Sequence, residues 1–159
     1  MNEFVEIGDM LSHFCPLVRK ITIACILPNK YNRDKKETGP VKRLIWVGSS
    51  HEDLKEFPPS VCNAIGYALF FAQTGKKHPH TKVLSEIGGA GIIEIRENDQ
   101  SGTYRLIYTI EIEEYVFVLH AFQKKSKSGI ATPKQEIEMI KNRLKAARAL
   151  YKELMKRKK

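Results

Sequence analysis

Residues 91–122, GIIEIRENDQSGTYRLIYTIEIEEYVFVLHAF, decide the fold. Three β-prone runs follow one another at 91–96, 103–110 and 115–122. Turn-forming residues at 98–102 join the first two, and Glu113 and Glu114 can join the second to the third. In the middle run Tyr104, Leu106, Tyr108 and Ile110 alternate with Arg105, Ile107 and Thr109, the two-residue period of a strand. Sequential strands with connections this short form an antiparallel meander. By the same alternation Arg96 shares a face with Glu94, and His120 shares one with Val118 and Val116.

Working upstream, 41–47 (VKRLIWV) is another short β-prone run, closed by Gly48. Ser49 stands three residues before Glu52, which predicts a capping box opening a short helix over about 50–57. Pro58 and Pro59 interrupt it, and proline suits the first turn of the next helix. Val61, Ala64, Ile65, Ala68, Leu69 and Ala72 recur at helical spacing, so that helix runs to about Gln73. A polar loop over 74–82 follows. Gly88, Gly89 and Gly91 precede a strand rather than a helix, so they are read as a tight turn and not a phosphate cradle. Downstream of a loop at 123–132, Pro133 starts a helix over about 133–158. Ile137, Ile140, Leu144, Ala147, Tyr151 and Leu154 form one narrow apolar seam along it. The pattern leaves open whether that seam docks on its own sheet or on a partner. Residues 1–40 read as an N-terminal extension whose last part, 29–40, has linker composition. The main domain is then 41–159. One expectation for the extension is that translation starts near Val41, which an intact mass of 18.2 kDa would exclude.

The chain carries 27 Lys and Arg against 18 Asp and Glu, a net +9 over 159 residues. From Lys124 onward 13 basic residues face three acidic ones, +10, so the preceding part carries 14 against 15, or −1. Charge gathered in this way suits a polyanion, nucleic acid before membrane, because phosphate binding releases counterions. Three cysteines without a CxxC pair argue against a disulfide framework and for a reducing compartment. No stretch reaches the ~20 apolar residues that span a bilayer, and none has a signal-peptide pattern. A cytoplasmic protein without membrane partners is expected.

The sequence holds no GxSxG, Walker loop, HExxH or helix-opening GxGxxG. His78 and His80 lie close in a polar loop without Cys or carboxylate partners, and are read as surface histidines rather than a metal site. No metal or cofactor is expected. What remains are basic groups on and after the meander: Arg96, Arg105, His120, Lys124, Lys125 and Lys127. Strand ends feeding one basic loop form a shallow positive groove, and arginine's planar fork holds two phosphate oxygens at once. Each residue also has a plain structural reading. Arg96 can pair with Glu94 or Glu97, and Arg105 can face outward from its strand. His120 can be a satisfied, half-buried histidine, and the lysines a solvated loop.

The segments GIIEIREND, TYRLIYTIEIEEYVFVLHAFQKKSKSG and ATPKQEIEMIKNRL resemble the phage-derived, HigB-like branch of the RelE/HigB toxin superfamily, as do the upstream RLIWVGSSHEDLKEFP and IGYALFFAQTG. The resemblance covers about residues 42–150. It implies an α+β, RelE-like fold: a twisted antiparallel sheet with two N-terminal helices and a long C-terminal helix. It implies an endoribonuclease toxin of a type II toxin–antitoxin system that cuts mRNA on the ribosome. Its partners are then the ribosome, mRNA and a cognate antitoxin, commonly a helix-turn-helix protein.

Carried over by position, the family's phosphate-contacting residues fall on Arg96, Arg105 and Lys124, with Lys125 and His120 as neighbours. The implied reaction is attack of a ribose 2′-hydroxyl on the adjacent phosphorus, giving a 2′,3′-cyclic phosphate and a free 5′-hydroxyl. Arg96 and Arg105 would stabilise the transition-state charge. A general base, typically contributing ~10²–10⁴-fold, is His120, a lysine crowded by like charges, or Glu94, which stands where the family has a basic strand residue. The C-terminal tyrosine of RelE has no match. These departures keep a non-catalytic ribosome- or nucleic-acid-binding relative in play, and the apolar seam keeps a protein-interaction module.

Overall fold

The computed structural model describes residues 41–87, 91–112, 114–124 and 133–157. The meander is present as β3 (Ile92–Asp99), β4 (Gly102–Thr109) and β5 (Tyr115–Lys124). β1 (Arg43–Trp46) lies parallel to β5, with Leu44 opposite Val116. An edge strand, β2 (Thr81–Val83), pairs antiparallel with β3 inside what reads as polar loop. The sheet order is β1-β5-β4-β3-β2, an α+β arrangement consistent with a RelE-like fold.

Helices cover both faces. α1 (Ser50–Lys55) and α2 (Pro59–Gln73) lie on one. There Leu54, Phe57, Val61, Ile65 and Leu69 meet Ile93, Ile95, Leu106, Tyr108, Val116 and Val118. α3 (Lys134–Arg157) lies on the other, where Ile140, Leu144 and Ala147 meet Ile92, Ile107, Phe117 and Leu119. The open question about the helical seam is therefore answered within the chain: it docks on its own sheet. Full burial of Ile140 and Leu144 stabilises that docking by roughly 1.5–3 kcal/mol each.

Three expectations need correction. The Ser49–Glu52 capping box does not form, although Ser49 is the N-cap residue of α1. Its hydroxyl accepts from Arg143 Nη2 of α3 at 2.7 Å and donates to Asp53 Oδ2 at 3.1 Å, so a tertiary ion network takes the group that local capping would use. Arg105 is not outward-facing: its side chain is 2% exposed. Strict alternation also fails along β5. Ile107 pairs with His120 but Tyr108 pairs with Val118, so β5 carries one extra residue at Leu119. Such a bulge turns every later side chain to the opposite face. Val118 and Ala121 accordingly share the α1/α2 side, Leu119 and Phe122 share the α3 side, and His120 goes with Ile107 to the α3 side rather than with Val116 and Val118. The N-terminal extension at 1–40 with its linker at 29–40, the turn at 88–90 and the basic loop over 125–132 lie outside the described residues.

Candidate functional site

Register gathers the basic residues. Opposed residues of an antiparallel pair point to one face. Arg96 is opposite Arg105, and Arg105 is opposite Phe122. One rung along, Glu94 is opposite Ile107 and Ile107 is opposite His120. One rung the other way, Thr103 is opposite Lys124. Glu94, Arg96, Arg105, His120 and Lys124 thus share the sheet face that α3 covers at its other end. Lys125 and Lys127 lie outside the described residues.

Two arginines directly opposite each other repel, and Glu94 resolves the conflict. Its Oε1 lies 2.9 Å from Arg105 Nη1, and its Oε2 accepts from Arg96 Nη2 at 3.0 Å. Glu94 and Arg105 are 1% and 2% exposed, whereas Arg96 is 35% exposed. Three side chains therefore make a graded unit: a buried carboxylate, a buried guanidinium that neutralises it, and a second guanidinium reaching the surface. Glu94 balances one arginine in full, so the trio keeps a net positive charge, and that charge is exposed at Arg96. Arg96 Nε is buried with no hydrogen-bond partner among the described residues. The pairing of Arg96 with Glu94 that its sequence neighbours suggested is present, but it leaves part of the fork uncommitted. A shallow depression of about 440 Å³ opens over Arg96, with Glu94, Lys82, Asn98, His80 and Glu97 among its lining.

His120 sits apart, locked toward α3. Its Nε2 lies 2.5 Å from Glu136 Oε2, and Arg143 Nη1 is 2.9 Å from its Nδ1. Arginine has no acceptor, so Nδ1 must accept and the proton of a neutral ring sits on Nε2, facing Glu136. The same Arg143 Nη1 donates to Leu119 O at 3.0 Å, and the His120 ring stacks on Phe122 at 5.3 Å. This is the geometry of a satisfied histidine. Lys124 is partly buried at the end of β5 and makes no ion pair among the described residues. Tyr108, on the opposite face, has its phenol pushed up to about 12 by burial, so it does not ionise near neutrality.

Two tertiary arrangements leave no signature in the sequence. Arg143, Asp53 and Ser49 join α3 to α1, with Arg143 Nη1 3.4 Å from Asp53 Oδ2. His80 does have a carboxylate partner: its Nδ1 is 2.8 Å from Glu97 Oε1, because β2 pairing with β3 brings the histidine loop beside that strand. A three-residue strand with one apolar side chain gives no pattern from which this could be read.

A family model described as "Phage derived protein Gp49-like (DUF891)" matches residues 52–145. That span runs from α1 into α3 and contains Glu94, Arg96, Arg105, His120 and Lys124. No curated protein sequence matches the chain.

Proposed function

Since the chain belongs to the phage-derived Gp49-like protein family, we propose that it is the toxin of a toxin–antitoxin pair and an endoribonuclease acting on ribosome-bound mRNA. The family membership and the sequence resemblance to RelE/HigB toxins support the toxin assignment. The observation that carries the nuclease reading is the placement of Arg96, Arg105 and Lys124 on one sheet face, with Arg96 reaching a surface depression. The ribosome, mRNA and a cognate antitoxin, of the helix-turn-helix kind, are the proposed partners.

In this reading Arg96 contacts the scissile phosphate directly, and Arg105 acts through Glu94 by fixing the carboxylate that aims Arg96. The 2′-oxygen forms a bond to phosphorus and the bond to the 5′-oxygen breaks. The 2′-proton passes to a base, and the leaving 5′-oxygen takes up a proton. Both Glu94 oxygens face guanidinium nitrogens and both His120 nitrogens are engaged. The geometry therefore favours Lys124 as base over either of them.

The same two engagements favour one alternative, a ribosome or nucleic-acid binder that cleaves nothing. Mapping transcript 5′ ends after brief induction tests the choice. New ends, reproduced on programmed ribosomes in vitro and lost in Arg96→Ala, are the expected result. Uncut mRNA on programmed ribosomes at saturating protein would refute the nuclease. An interaction module built on the apolar seam finds no support, because Ile140, Leu144 and Ala147 are buried within the chain.

A further inference from the structure

We propose that His78, His80 and Glu97 bind a divalent transition-metal ion, zinc in particular. One ligand atom from each lies within 4.8 Å of the others. A tetrahedral zinc ion, bound at ~2.0–2.1 Å, sets its ligand atoms roughly 3.3 Å apart, so small side-chain rotations close the set. His80 Nδ1 and Glu97 Oε1 hydrogen-bond at 2.8 Å, so a bound ion would take the place of the proton they share and part them by about 0.5 Å.

The frame around these atoms is fixed. Edge-on ring contacts from α2 hold His78, with Tyr67 at 5.7 Å and Phe71 at 5.4 Å between centroids. Pro79 restricts the backbone between the two histidines, whose rings meet at 5.2 Å. Glu97 projects from β3 with its side chain 11% exposed, so its carboxylate sits where a cation compensates its loss of water. Two imidazoles and one carboxylate suit zinc, whereas calcium and magnesium prefer all-oxygen sets. Three protein ligands leave one coordination position open. His80 and Glu97 also line the depression that holds Arg96, so a bound ion adds positive charge there.

The test uses untagged full-length protein carrying Cys15→Ser and Cys25→Ser, which removes the thiols of the N-terminal segment as competing ligands. Zinc titrated by calorimetry should bind one ion per chain, and cobalt should give the visible absorption of a tetrahedral site. His80→Ala and Glu97→Gln should each weaken binding by at least about tenfold, the scale on which zinc sites respond to altered ligand environments. Because His80→Ala also removes the 2.8 Å partner of Glu97, each variant's metal-free melting temperature serves as its own baseline, and His80→Ala should lose the zinc-induced rise above it. Absence of saturable zinc binding in the parent overturns the proposal. So does unchanged affinity in the His78→Ala/His80→Ala double variant. Neither outcome bears on whether mRNA is cut, so this inference and the nuclease reading fail separately.

Discussion

Glu94 and Arg105 face each other at 2.9 Å inside the sheet, one on β3 and the other on β4, each almost wholly removed from water. Such a pair adds little stability over an apolar one, yet breaking it strands an uncompensated charge. Glu94→Ala should therefore destabilise the protein by about 3–5 kcal/mol, read from urea unfolding. A change under about 1 kcal/mol, the range of exposed pairs, would show that the carboxylate does not neutralise Arg105.

Arg96 shares the same carboxylate but stands partly in solvent, so it should behave in the opposite way. Arg96→Ala should cost less stability than Glu94→Ala, because Arg105 stays 2.9 Å from the buried carboxylate and neutralises it. Growth arrest on expression should nevertheless be lost. Arg105→Ala is the poorer probe of function, because it leaves Glu94 buried with only Arg96 and disturbs the fold. Retained toxicity in a well-folded Arg96→Ala variant would remove Arg96 from the site.

His51 is buried on α1 against Trp46, with ring centroids 4.8 Å apart. Burial, helped by the Lys55 charge, holds its imidazole below the ordinary 6.5. In the unfolded chain His51 takes up a proton as pH falls through about 6.5, while the folded protein resists. The unfolded state then binds more protons, so stability is flat above that pH and declines below it. His51→Gln should flatten part of this decline in urea midpoints measured from pH 7.5 to 5.5. Parallel profiles for the two proteins would contradict it.

Much of the architecture was legible because burial imposes a period. Tyr104, Leu106 and Tyr108 alternate as a strand must, and the seam from Ile137 to Leu154 repeats as a docked helix must. β2 was not legible, since Thr81, Lys82 and Val83 owe their strand to pairing with Ile95, Glu94 and Ile93 rather than to their own pattern. Nor was the face of His120, because a bulge leaves no mark in composition and one extra residue reverses the parity. The basic candidates were visible as residue types. Their hierarchy was not, because Glu94 becomes a counter-ion only through the register that sets Arg96 opposite Arg105. The Ser49 signature was present and misleading: a partner 94 positions away outcompetes the local cap.

Ser50 ties the start of α1 into the sheet. Its Oγ accepts from Val47 N at 3.2 Å and donates to Val118 O at 3.1 Å, all inside the protein. Ser50→Ala removes one acceptor and one donor together at a fully buried site, while Val47 N and Val118 O keep the bond they share at 3.0 Å. A loss of about 0.5–1.5 kcal/mol follows, the net contribution of an ordinary hydrogen bond, because no buried group is left without a partner. Ser50→Thr, which keeps the hydroxyl, should recover part of it if the added methyl fits. An unchanged unfolding midpoint in Ser50→Ala would mean the bridge contributes nothing.

Gly48 links β1 to α1 with φ +59, and the guanidinium of Arg143 fills the space a side chain would take. A Cβ at this position would meet Arg143 Nε at 3.1 Å, tighter than ordinary contact. Gly48→Ala therefore carries two penalties: about 1–2 kcal/mol for the left-handed backbone, and displacement of the arginine that joins α3 to Ser49, Asp53 and Leu119 O. The two can be separated. In an Arg143→Ala background only the backbone penalty remains, so the cost of Gly48→Ala should fall by about 0.5 kcal/mol or more, the scale of coupling between touching residues. Equal costs in both backgrounds would show that Arg143 yields without loss, and that the close approach of α3 to this turn does not require a glycine.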